Sequence, residues 1–159
     1  VATRIRTLQD FGTSWGTSMT TAFLTTARNF ADAVAVNGTA FLGIHPILLV
    51  DTLADGTTPG TSLSAGTTAV LDSAVNSIER VIILGGTAAV SAEVETAVQA
   101  IKNGAAGTTA IQTTRVGGTD RYDTAKLLLE LRVKALVLGG FAHSINDIIL
   151  VNGTPDRHN

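Results

Sequence analysis

Few residues in this chain have the type and spacing that chemistry requires. Gly12-Thr13-Ser14-Trp15-Gly16 matches the G-x-S-x-G pattern that presents a serine nucleophile on a sharp strand-to-helix turn. Such a serine needs a strand before it and a histidine placed to take its proton. The preceding residues TLQDF make a poor strand, and His45, His143 and His158 show no pairing with Ser14, so a turn is expected there and not a hydrolase site. The same histidines lack metal-ligand spacing, the chain has no Cys, and no E…DxD set is present that would hold magnesium. Neither a metal nor a cofactor is expected. Asp32 and Asp147 each stand in the first turn of an expected helix, where a carboxylate stabilises the macrodipole.

Gly85-Gly86-Thr87 lies between an apolar run and a helical pattern, a place where backbone N–H groups meet anions. It lacks the Lys of a P-loop and the third Gly of a dinucleotide fingerprint, which argues against a nucleotide. A tight turn that also holds a phosphate or carboxylate fits these residues. Asn37-Gly38-Thr39 and Asn152-Gly153-Thr154 share the glycosylation pattern and read as repeated turns at helix ends.

The elements that must position these groups alternate. Apolar runs of strand length, each followed by a stretch of helical spacing, predict a β-α-β-α order and a mostly parallel sheet. Strands are expected near Thr21–Ala27, Pro46–Asp51, Arg80–Gly85, Ala110–Val116 and Val133–Gly139. Helical stripes are expected from Phe30, Ala33, Val34 and Phe41, and from Val70, Leu71, Ala74, Val75 and Ile78 after an N-cap at Ser64. A third helix opens at Ser91, with Glu93 and Glu95 in its first turn and Val94, Val98 and Ile101 as its stripe; a fourth opens at Asp120, with Ala125, Leu128 and Leu129 inward. The Gly-, Thr- and Pro-rich stretch Thr52–Thr61 follows a strand, where open α/β sheets place ligand-facing loops.

With 159 residues, 45% hydrophobic and only 15% charged, the chain has the composition of one folded domain with a core of small aliphatic side chains. A net charge of −2 gives no basic surface for nucleic acid. No apolar run reaches the ~20 residues that span a bilayer. Absence of Cys permits export, and Val1 opens without a signal segment, so the chain reads as a processed or excised piece of an exported protein.

An internal repeat is the most specific feature. TAFLTTARNFADAVAVNGT at Thr21–Thr39 recurs as LVLGGFAHSINDIILVNGT at Leu136–Thr154, with identities at Ala27/Ala142, Asp32/Asp147, Val36/Val151 and the whole Asn-Gly-Thr turn. Upstream of the two copies lie TRIRTLQDFGT from Thr3 and TRVGGTDRYDT from Thr114. Residues 1–116 read as one full unit, and 117–159 as the start of a second unit packed against it.

Five segments in order, ARNFADAVAV (Ala27–Val36), PILLVD (Pro46–Asp51), LSAGTTAVLDS (Leu63–Ser73), VIILGGTAAVS (Val81–Ser91) and RVGGTDRYDTA (Arg115–Ala125), make the chain resemble the cell wall binding repeat 2 family of Gram-positive surface-layer and autolysin proteins. The resemblance implies a three-layer Rossmann-like or Toprim-like α/β module that works in threes and does no catalysis. It implies noncovalent anchoring of a secreted protein to an anionic secondary wall polymer, outside the cell, with sister modules or a trimeric homo-oligomer as further partners. The resemblance places Ile47, Leu48 and Leu49 where the family meets polymer; with the anion-suited turn Gly85, Gly86 and Thr87, and with Arg28, Asn29, Arg115 and Arg121, they make the expected polymer-binding set, although an ion pair from Arg121 to Asp120 or Asp123 fits the sequence equally well. The alternative is a module of a surface layer or phage particle that packs against its neighbours and no longer binds polymer.

Overall fold

A computed structural model describes residues 20–27, 33–37, 40, 45–50, 60–72, 78–103 and 109–138, with side chains through 131. Its elements are β1 (Thr21–Thr26), β2 (Ile47–Val50), α1 (Ala65–Leu71), β3 (Arg80–Leu84), α2 (Ala92–Ala100), β4 (Lys102–Asn103), β5 (Thr109–Ala110), β6 (Gln112–Val116) and α3 (Arg121–Leu138). Positions 33–37 and 40 are also helical.

The four longer strands form a parallel sheet in the order β2-β1-β3-β6, with Phe23 opposite both Ile47 and Ile82 and with Ile83 opposite Arg115. The short β4 and β5 pair antiparallel and lead into β6. β1 and β3 are central and apolar on both faces, as strands of a parallel sheet covered by helices on each side must be. Alternation then divides the core. Ala22, Leu24, Val81 and Ile83 pack with Leu71, Val94 and Val98 of α1 and α2, while Phe23, Leu84 and Val116 pack with Val36, Ala40 and Leu128 on the opposite face. The α/β arrangement expected from the sequence is therefore present, with helices in both outer layers.

Two of the expected caps are formed in full. Ser64 Oγ accepts from the Thr67 N–H at 3.1 Å, and Ser91 Oγ accepts from the Val94 N–H at 3.4 Å. Ser91 Oγ also donates to the Gly60 carbonyl at 3.0 Å, which ties the long β2–α1 connection to the start of α2.

Four expectations require correction. The strand expected at Val133–Gly139 is the second half of α3 through Leu138, and Gly139 lies outside the described residues. From Arg121 to Leu138 no Gly, Pro, Asn or Ser interrupts a run rich in Leu, Lys, Ala and Glu, so a helix nucleated at Asp120 propagates through the apolar end. Ala125 and Leu129 face outward on that helix, Leu129 being 39% exposed; Thr124 and Leu128 face inward. The inward stripe begins with a hydroxyl because Thr124 Oγ1 donates to the Asp120 carbonyl and accepts from the Gly118 N–H, which satisfies it locally. Val34 is 63% exposed, whereas Val36 and Ala40, one turn apart, reach the core. Ile78 is fully buried but belongs to the lead into β3, since α1 ends at Leu71 with Asp72 as its C-cap. Phe30, Phe41, Ala74 and Val75 lie outside the described residues.

Candidate functional site

β3 and β6 are adjacent and parallel, and each is followed directly by Gly-Gly-Thr. Their turns consequently emerge side by side at the carboxyl edge of the sheet, where open α/β folds bind ligands. Gly85 adopts φ 97°, a left-handed conformation that strains any residue with a Cβ, and its N–H donates to the Val116 carbonyl at 2.8 Å. A Cβ on Gly117 would lie 2.7 Å from both the Gly85 carbonyl carbon and the Gly86 nitrogen, so the two turns touch backbone to backbone. Gly118 abuts the first turn of α3, where a Cβ would stand 2.6 Å from the Thr124 nitrogen. Between these turns and α3 lies an open cleft of about 280 Å³, lined by Gly85, Gly86, Ala89, Gly118, Asp120, Arg121 and Thr124.

Carboxylates occupy the start of α3. Asp120 Oδ1 accepts from the N–H groups of Tyr122 and Asp123, each at 2.9 Å, and Asp123 Oδ2 accepts from the Thr119 N–H at 3.0 Å. Among the described residues the ion pairs are Arg115–Glu95 and Lys126–Glu130, so Arg121 pairs there with neither Asp120 nor Asp123. Arg121 is exposed at the cleft.

Arg115 behaves differently. β6 directs Thr113 and Arg115 towards α2, the face opposite to that of Val116. Arg115 Nε and Nη2 donate to Glu95 Oε2 at 3.0 and 2.8 Å, and Nη1 donates to the carbonyls of Val90 at 2.8 Å and Gly85 at 3.1 Å. Glu95 Oε1 accepts from the Thr113 hydroxyl at 3.0 Å, which itself accepts from Gln99 Nε2 at 2.7 Å. This network grips both ends of the 85–91 connection from behind and thereby sets the shape of the Gly85-Gly86 turn. Nearby, the Glu93 carboxyl is held below the ordinary range by its own backbone N–H and then by the Ser91 hydroxyl.

Of the residues expected at the site, Gly85, Gly86 and Arg121 line one cleft. Thr87 belongs to the same turn without lining it, and Arg115 lies behind it. Ile47, Leu48 and Leu49 lie on β2, separated from the cleft by β1 and β3; Leu48 is buried and Leu49 is 48% exposed. Arg28 and Asn29 lie outside the described residues, as do Ser14, Asp32 and Asp147. Sequence reasoning overlooked Ala89, Gly118, Asp120 and Thr124 as cleft residues. The signal for them is the second Gly-Gly-Thr after a strand, which becomes informative once β3 and β6 are known to be neighbours. No group of three or more His, Cys, Asp or Glu able to hold a metal occurs among the described residues, and no helix there is long and apolar enough to cross a membrane.

The family model for Cell wall binding domain 2 (CWB2) matches residues 1–95. Among solved structures, Cwp6 from Clostridium difficile is similar at TM-score 0.57 and 21% identity, covering 77% of this chain and 17% of that one. Cwp8 from Clostridium difficile is similar at TM-score 0.50 and 21% identity, covering 71% of this chain and 17% of its own. At this identity the likeness concerns the fold, and the chain spans about a sixth of the length of either structure. No curated protein sequence matches significantly.

Proposed function

From the chain's membership of the Cell wall binding domain 2 family, which makes it a cell-wall-binding module of surface proteins, we propose that it anchors a larger protein noncovalently to an anionic secondary wall polymer and carries out no reaction of its own. The contact surface is the cleft between the two Gly-Gly turns. The observation that carries this reading is the placement of Arg121: an exposed guanidinium without a carboxylate partner among the described residues, beside bare glycine backbone at the carboxyl edge of a parallel sheet. A guanidinium left in this state is a ready partner for a phosphate or carboxylate on a polymer passing the rim.

The fixed geometry of the turn supports binding over catalysis. Arg115, behind the turn, is committed to Glu95 and to backbone carbonyls of the 85–91 connection, which holds the cleft wall in one shape. Sister modules remain the second class of partner in this reading. Tyr122, 54% exposed, and Leu129 lie on one outward stripe of α3 and offer an apolar contact to a neighbouring module.

The test is retention of the folded chain on purified Gram-positive cell walls, before and after chemical removal of the anionic polymer. Retention should depend on the polymer, and Arg121→Glu should lower it about tenfold or more, an effect of ~1.4 kcal/mol for reversing one charge at the contact. Equal retention on stripped walls overturns the anchor. Unchanged retention of Arg121→Glu moves the contact away from this cleft.

A further inference from the structure

Backbone and charge in the cleft together restrict what it can hold. Gly85 is the positive-φ glycine of the turn; Gly86 needs no such conformation, and a Cβ built on it meets no atom within 4 Å. Neither packing nor backbone geometry demands glycine at 86. Its consequence is a bare peptide facing the cleft.

A phosphate settling here would use the free N–H groups that open α3. Those donors are taken: the N–H groups of Tyr122 and Asp123 by Asp120 Oδ1, and that of Thr119 by Asp123 Oδ2. Of the two carboxylates Asp120 lines the cleft, beside Arg121, so the cleft carries no net positive charge and its helix donors are spent where they would otherwise attract an anion. Three groups remain for a ligand. The second oxygen of Asp120, which no hydrogen bond among the described residues reaches, only accepts; Arg121 only donates; and Gly86 offers its N–H, since its carbonyl already accepts from the N–H groups of Ala89 and Val90. Adjacent acceptor-only and donor-only groups over flat backbone suit neighbouring hydroxyls of a sugar ring, each of which both donates and accepts.

Resting on the reading that this cleft meets wall polymer, we infer that the unit seated in it is an uncharged glycosyl residue, held through its hydroxyls by Asp120, Arg121 and the Gly86 peptide. The anionic groups of the polymer lie outside the cleft. Specificity then resides in sugar hydroxyls, and charge serves only at the rim.

The experiment titrates the full ¹⁵N-labelled chain at constant ionic strength with glucose, N-acetylglucosamine and N-acetylmannosamine, and separately with inorganic phosphate and glycerol phosphate. At least one neutral sugar should shift the Gly86, Gly118 and Asp120 amides saturably in the millimolar range, with phosphate leaving them in place. Asp120→Asn keeps a capping side chain and should weaken the sugar response about tenfold, as loss of a bond to a charged group requires. Gly86→Ala should melt as the wild type does and lose the response. Phosphate shifting these amides while no sugar does, or Asp120→Asn leaving sugar binding intact, overturns the inference. Wall retention measured in parallel separates the two readings. Polymer-dependent retention that Gly86→Ala abolishes, together with a response to phosphate alone, keeps the anchor and removes the neutral ligand; retention independent of polymer removes the anchor whatever the sugars do.

Discussion

Replacing Arg115 by Met tests the claim that a tertiary ion pair gives the Gly85-Gly86 turn its shape. Met retains most of the aliphatic stem, so no large cavity opens and the loss is confined to the guanidinium. That group makes two bonds to Glu95 Oε2, one each to the carbonyls of Val90 and Gly85, and a longer one of 3.5 Å to the Ser91 carbonyl. An exposed ion pair is worth about 0–1 kcal/mol, and a buried bond to a charged group about 1.5–3. The two side chains here are 20% and 26% exposed, which places the pair between these limits and nearer the second. Removing Arg115 also leaves the Glu95 carboxylate with Thr113 as its remaining donor and two turn carbonyls without theirs. We expect a loss of about 2–3 kcal/mol, which for a chain of this length lowers Tm by about 5–10 °C. Arg115→Lys should recover less than half of it, because a point charge cannot serve Glu95 and both carbonyls together. Calorimetry or urea unfolding of the single variants, Glu95→Gln and the double variant gives the coupling directly, expected at about 1 kcal/mol or more. A Tm within ~1 °C of wild type, or strict additivity of the two substitutions, refutes the clamp.

The other tests are simpler. Ser91→Ala removes both the α2 cap and the bond to the buried Gly60 carbonyl, and should cost about 1–2 kcal/mol in urea unfolding. Glu93 should titrate below an ordinary glutamate in a carboxyl NMR experiment, and Ser91→Ala should raise its value. Because the folded pKa is the lower one, its contribution to stability is present above the unfolded pKa and is lost as pH falls through the folded value; Glu93→Gln should flatten that part of the acid limb.

Four of the five expected strands occur within a residue or two of their expected bounds: β1, β2 and β3 are built on apolar runs closed by Gly, Asp or polar residues, whereas the mostly polar Gln112–Val116 is marked by its β-branched Thr and Val residues and the Gly pair that follows. Their central members are buried on both faces, which makes the run continuous and easy to recognise. The fifth failed for the converse reason. Val133–Leu138 is equally apolar, but nothing upstream ends the helix that begins at Asp120, and periodicity alone cannot tell a buried strand from a helix end. Caps at Ser64 and Ser91 were legible because capping is local chemistry between residues three apart. Helix faces were legible on α2, where Val94 and Val98 are simply apolar, and illegible at the start of α3, where the inward residue is Thr124. Hydropathy counts a threonine as surface even when its hydroxyl is satisfied by the Gly118 N–H and the Asp120 carbonyl.

Arg115 and Arg121 show why the site was harder to read than the fold. They are six residues apart, identical in type, and were assigned one role, yet their surroundings are opposite. Arg115 sits on the strand at one edge of the described sheet, on the face that α2 covers, and its partner Glu95 lies twenty residues earlier at the first turn of that helix. Only the parallel pairing of β3 with β6 brings them together, and no local pattern encodes that pairing. Arg121 follows the Gly-Gly turn by three residues, beyond the last strand position, where the chain has left the sheet and turns into α3. An arginine inside a strand next to a crossover helix is placed to become part of the scaffold, whereas one just past the carboxyl end of the same strand is placed to meet a ligand. The strand end at Val116, more than the residue type, separates a positioning role from a binding one, and exchanging the charges at 115 and 121 should accordingly damage stability in the first case and retention on walls in the second.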